Sequence, residues 1–219
     1  MFIIMALILI VPAQWAFAET PQKGGNLVVC QPAEPPGLDP TANTAAAIDR
    51  VVWSNVYETL TKVNDQGQIL PGLAKSWNVS PDGKIYTFSL QKGVKYHNGE
   101  PFNAAAVKWN LERAKAEKTV NPHPEFFRVI ESIETPDDAT LRITLKDVDA
   151  LFLIHMAEGD ASMLPMNGHE TAKSNPIGTG PFMISEVEGT TRLLLERNEY
   201  YWQEGLPYLD AVEITAIPD

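Results

Sequence analysis

Apolar and polar residues alternate most regularly between Ser76 and Trp109, SWNVSPDGKIYTFSLQKGVKYHNGEPFNAAAVKW. Tyr86, Phe88 and Leu90 are interleaved with Ile85, Thr87 and Ser89, the two-residue period of a half-buried strand. Ser80-Pro81-Asp82-Gly83 predicts the turn before that strand: proline presets φ, aspartate bonds its own backbone and glycine accepts positive φ. Asn98-Gly99 predicts a second tight turn. Asn103 can then cap a helix whose apolar face is Val107, Leu111 and Ala114.

Upstream, Gly24-Gly25 opens a strand at Asn26 to Gln31, and its continuous run Leu27-Val28-Val29 predicts burial on both faces. Pro32 to Pro40 holds four prolines and a glycine, Pro35-Pro36-Gly37 among them, and predicts an irregular loop. Ile48, Val52, Val56 and Leu60 recur every four residues and predict one amphipathic helix. Ile130 to Thr135 and Thr140 to Leu145 read as a hairpin, and Asp149 to Met156 as a short apolar helix. A glycine- and proline-rich crossing, Asn175 to Phe182, precedes strands at Met183 to Val187, Arg192 to Glu196 and Ala211 to Ile217. Mixed strands and helices with central hairpins indicate a layered α/β or α+β domain. The last strand stops two residues before Asp219, an ending that predicts a continuation and an open, aggregation-prone edge at Ala211–Ile217.

The chain has 219 residues and a net charge of −11, which argues against a nucleic-acid surface. Residues 1–18 carry no charge and end in Ala16-Phe17-Ala18, which predicts a signal peptide cut between Ala18 and Glu19. The usual early Lys or Arg is missing, so an uncleaved amino-terminal anchor is the alternative. Cys30 is the only cysteine, which excludes an internal disulfide; it reads as a small buried residue at a strand end.

The sequence offers no catalytic signature. GxSxG, HExxH, GxxxxGK[ST] and paired CxxC are all absent. His97, His123, His155 and His169 lack metal-ligand spacing, so neither a metal nor a cofactor is expected. His97, beside Asn98-Gly99, suits a structural hydrogen bond, His123 a loop position, and His155 a satisfied, partly buried imidazole. Trp53, Tyr57, Trp77, Trp109 and Tyr200-Tyr201-Trp202 suit core packing better than a stacking platform.

Candidate ligand contacts are few. Pro35, Pro36, Gly37 and Leu38 leave the first strand where ligands of open α/β sheets bind, and their backbone could pair with an extended peptide. The alternative is a rigid connector. Phe126 and Phe127 are placed in a loop, free to touch a ligand. Gly178, Thr179 and Gly180 fit a crossing where glycine permits close backbone approach better than an anion loop, with Thr179 or its neighbours on the cleft floor.

Five ordered stretches resemble the family 5 extracytoplasmic solute-binding proteins, the peptide- and nickel-binding subunits of ABC importers. They are GGNLVVCQPAEPPGLDP, LPGLAKSWNVSPDGKIYTFSLQKGVKYHNGEPFNAAAVKW, NPIGTGPF, LERNEYYW and LPYLDAVEI. Ala106 departs from the pattern, standing where an acidic residue commonly precedes the valine. The resemblance implies a periplasmic-binding-protein type II-like α/β fold with a mixed sheet and an inserted subdomain. The expected division is residues 1–18 signal peptide, 19–45 opening strand and ligand-side loop, 46–174 inserted subdomain, and 175–219 an incomplete return to the first lobe. It also implies that a second lobe, missing from this chain, grips the ligand's charged ends, so no such residue can be assigned here. The implied role is capture of oligopeptides or dipeptides in the periplasm, without catalysis, for a membrane permease, by a monomer. A binding-incompetent fragment, or a binder of nickel or another small solute, are the alternatives.

Overall fold

In the computed structural model, which describes residues 21–189 and 191–217, the alternating segment forms β5 (Ile85–Leu90), with Tyr86, Phe88 and Leu90 turned into the core. It pairs antiparallel with β4 (Ala74–Val79) and β7 (Thr140–Leu145), and β6 (Ile130–Asp137) completes a sheet of order β4-β5-β7-β6. Gly83 in the β4–β5 turn takes φ +73° and Gly99 in the following turn φ +85°, conformations that glycine adopts without a Cβ penalty. Helix α2 (Ala104–Lys115) packs against β6 and β7 and buries Val107, Leu111 and Ala114 as its periodicity predicts. Asn103 caps it: its side chain accepts from the Ala106 amide at 3.0 Å. The cap is thus independent of the acidic residue replaced by Ala106.

The second sheet has the order β1-β10-β9-β8, from β1 (Asn26–Gln31), β10 (Ala211–Ala216), β9 (Arg192–Arg197) and β8 (Phe182–Glu188). β1 runs parallel to β10, and the other pairs are antiparallel. A separate core joins this sheet to α1 (Ala46–Val52), Leu38, Val56, Tyr57, Leu164 and Ala172. The remaining elements are the short pair β2 (Thr61–Val63) and β3 (Ile69–Pro71), α3 (Glu125–Arg128) and α4 (Phe152–His155). Among the described residues no helix is long and apolar enough to cross a membrane.

Several expectations need correction. The predicted helix through Leu60 ends at Val52, although Val56 and Leu60 are buried as expected. Ser54 takes φ +62°, and the Asn55 and Val56 carbonyls then accept from the Phe182 and Gly180 amides, so tertiary partners replace helical ones. β1 is not buried on both faces: Leu27, Val28 and Val29 are 48%, 61% and 38% exposed, because it is an edge strand beyond the reach of the second core. Cys30 is exposed for the same reason. β10 lies inside the sheet, between β1 and β9, so Ala211–Ile217 is not an open edge. The signal-peptide segment 1–18 lies outside the described residues.

Candidate functional site

The crossing at 178–180 is built by backbone crowding. A Cβ on Gly178 would stand 1.9 Å from the Val56 carbonyl oxygen, and one on Gly180 2.4 Å from that of Asn55. Only glycine lets the two chain segments touch, as the close-approach reading expects. His97 seals the contact. Its amide donates to the Gly178 carbonyl at 2.8 Å, its Nδ1 accepts from the Gly178 amide at 3.3 Å, and its Nε2 lies 3.0 Å from the Gly180 carbonyl. Burial pushes its pKa down to about 4. Asn198 Nδ2 adds a 3.0 Å bond to the Gly180 carbonyl.

Thr179 is buried, so it does not offer a free cleft floor. Its hydroxyl instead donates to Glu58 Oε2 at 3.1 Å. That carboxylate, wholly buried, also accepts from Trp202 Nε1 at 2.8 Å, Tyr201 Oη at 2.9 Å and Lys62 Nζ at 3.1 Å. Charge-assisted bonds from several donors offset the cost of taking a carboxylate out of water. Burial, and then the Glu58 charge, hold the Tyr201 hydroxyl well above its ordinary pKa. Glu58 therefore ties the stretch after α1 to the crossing and to the 198–202 turn. The sequence carried one unused signal of it, a lone carboxylate inside the apolar run Val56-Tyr57-Glu58-Thr59-Leu60.

The loop after β1 opens on a cleft of about 270 Å³, lined by Pro35, Pro36, Gly37 and Leu38 and, opposite, by Lys173, Val187 and Leu193. The Leu38 amide donates to the Lys173 carbonyl at 2.9 Å, which pins the loop. Leu38 points into the second core and Pro35 is buried, whereas Pro36 is exposed. The loop thus serves as an anchored connector and as a cleft wall at once.

The two phenylalanines separate. Phe127 is not free: it lies in α3 and is fully buried in the first core. Phe126 lies in the same helix rather than in a loop, half-buried and stacked between His155, at 3.9 Å between centroids, and His123, at 5.0 Å. It lines a second depression of about 330 Å³ with Asp49, Glu158 and Asp160. His123 Nδ1 meets Asp160 Oδ2 at 3.1 Å. Burial, with the charges of Asp160 and Glu158, raises the Asp49 pKa. His155 lies 3.5 Å from Asp149 through Nδ1, beyond good hydrogen-bond range, and is less well satisfied than expected. Of the aromatics assigned to packing, Tyr57 is buried, but Tyr200 is 86% exposed. A larger trough, about 1160 Å³, lies between Lys75, Lys92, Lys95 and Asp138 and contains none of the candidate residues.

The candidates therefore fall into two wall segments and one structural clamp. The mixed α/β architecture is that of the type II periplasmic binding proteins, and solved structures share it over part of their length. The ABC transporter-associated periplasmic binding protein DppA of Helicobacter pylori, in complex with the peptide STSA, superposes with a TM-score of 0.81 at 30% identity, over 90% of this chain and 44% of that one. Residues 68–219 match the bacterial extracellular solute-binding proteins, family 5 Middle, and the chain belongs to that family. It is 34% identical to di/tripeptide-binding protein 1 of Pseudomonas aeruginosa, over 85% of this chain and 40% of that protein. It is 35% identical to the glutathione-binding protein GsiB of Pectobacterium atrosepticum, over 83% of this chain and 36% of that protein. The chain thus spans about two fifths of the length of the curated relatives it matches.

Proposed function

We propose that this chain is part of a periplasmic receptor of an ABC importer that captures oligopeptides or dipeptides and delivers them unaltered to a membrane permease. The observation that carries this reading is the cleft at the carboxyl end of β1. There an anchored, proline-fixed loop presents backbone and apolar surface where open α/β sheets receive ligands. Such a wall suits an extended peptide, whose main chain supplies binding common to many sequences. The ligands its relatives are named for or bound to, a di- or tripeptide, glutathione and the peptide STSA, share that chemistry. A cleft of about 270 Å³ falls just below the size of formed ligand pockets, as expected of one wall of a larger site.

The reading is tested by native mass spectrometry of the natural full-length gene product, purified from the periplasm and offered a pool of short peptides. The expected result is a stoichiometric mass shift from bound peptide that persists unhydrolysed on incubation. Pro36→Trp, which fills the cleft from an exposed position, should weaken that binding at least about tenfold without changing the melting temperature. Retention of full affinity by this variant would remove the 35–38 loop from the site. Failure of the natural product to hold any peptide would overturn the receptor assignment.

A further inference from the structure

The hydrogen bonds around His97 determine its protonation state without reference to any titration. A backbone amide can only donate and a carbonyl can only accept. Gly178 N–H therefore requires a lone pair on His97 Nδ1, and the Gly180 carbonyl requires the proton on Nε2. The ring is held as the neutral Nε2–H tautomer, with both nitrogens committed to one segment of backbone. Adding a proton to Nδ1 would set N–H against N–H at a crowded contact, where Gly178 already lies against Val56 and Tyr57.

We propose that His97 is a proton-operated clamp: its neutral ring stitches the 96–99 turn to the 178–180 crossing, and protonation in an acid medium releases the crossing while both sheets remain folded. The surroundings favour this behaviour. Among the described residues no charged side chain hydrogen-bonds or pairs with the ring to stabilise an imidazolium. Glu100, on its own turn, is engaged by the Asn98 side chain. Glu58, below the crossing, is committed to Thr179, Tyr201, Trp202 and Lys62. The neighbouring Tyr57 and Tyr96 hydroxyls are held neutral by burial. His97 is thus depressed by desolvation, and the sign follows. Its contribution is complete above the ordinary imidazole value of 6.5 and is lost as the pH falls towards about 4, below which the loss is constant.

The clamp acts on the segment that carries the chain from one core to the other. Besides the His97 bonds, the crossing is held by Gly180 and Phe182 amides on the Val56 and Asn55 carbonyls and by the Asn198 side chain. Protonation removes the Nδ1 attachment to Gly178 and leaves these and the strands of both sheets untouched. Local rather than global opening is the expected response.

Hydrogen–deuterium exchange mass spectrometry of the natural full-length product, from about pH 3 to about pH 8, tests the proposal through both its imidazoles and its amides. The ring exchange of His97 should report a midpoint near 4, well below the ordinary value. Amide exchange over residues 176–182, corrected for its intrinsic pH dependence, should accelerate about tenfold on acidification, while β5 and β7 keep their protection. His97→Gln retains a donor and an acceptor but cannot titrate, so its exchange over 176–182 should be independent of pH. A His97 midpoint near 6.5, or acid loosening that survives in H97Q, would overturn the clamp. The ring measurement needs no variant and decides the matter if H97Q fails to fold.

Discussion

The two four-stranded sheets end differently. In β4-β5-β7-β6, apolar residues alternate along β5 and β7, and α2 lies against the sheet, so Phe88, Leu141 and Ile143 are wholly buried. In β1-β10-β9-β8, the cover is α1 with Val56 and Tyr57, and it reaches β10, β9 and β8 but not β1. Leu27, Val28 and Val29 form the more hydrophobic segment on paper and the more exposed one in space. A run of apolar residues states what a strand can bury. Whether it is buried depends on what packs above it.

Mutation should separate the two regions. The largest effect is expected for Phe88→Ala, which empties a fully buried ring site packed between Trp77 and Tyr86 and should cost about 4 kcal/mol in denaturant unfolding. A loss below about 1 kcal/mol would mean that the first core tolerates collapse. Gly178→Ala comes next, at about 3 kcal/mol, because its methyl group meets a backbone carbonyl that cannot rotate away. Equal stability of this variant would show that the crossing is free to move apart, and the joint between the sheets would then be looser than its hydrogen bonds imply.

Asn103→Ala should cost about 1 kcal/mol by leaving the Ala106 amide without its cap, and Asn103→Asp should restore the loss. Absence of any change would show that α2 draws its order wholly from packing. The smallest effect belongs to β1. Val28→Ala, at a 61% exposed position, should shift stability by less than about 0.5 kcal/mol in this chain. If instead it rivals Phe88→Ala, the contrast between the two sheets fails. Light scattering gives a further handle: Val28→Lys should suppress self-association by placing charge on an unpaired strand edge.

Local chemistry made much of the fold legible. The β4–β5 turn, the alternation of β5, the cap of α2 and the β6–β7 hairpin are all encoded within a few residues of themselves. The reading failed where distant backbone intervened. Val56 and Leu60 continue a helical period, yet the carbonyls of Asn55 and Val56 are taken by amides more than a hundred positions later, and the helix stops. Phe127 resembled a loop aromatic because α3 is a single short turn whose burial comes from neighbours in the first core. Among the candidate contacts, the exposed loop position of Pro36 was readable, and the helical setting of Phe126 and Phe127 and the turning of Leu38 and Thr179 inward were not. Glu58 was invisible as a hub because its four donors come from three separate stretches.

By itself the sequence determined the turns, the buried face of β5, the helix cap and the glycines at 178 and 180, since each follows from the conformational limits of one residue or its near neighbours. Only the tertiary structure decided which apolar strand lay at an edge, which carboxylate was buried among donors and which tautomer His97 holds. These outcomes depend on groups far apart in the chain, and desolvation and hydrogen-bond pairing act on whatever folding brings into contact.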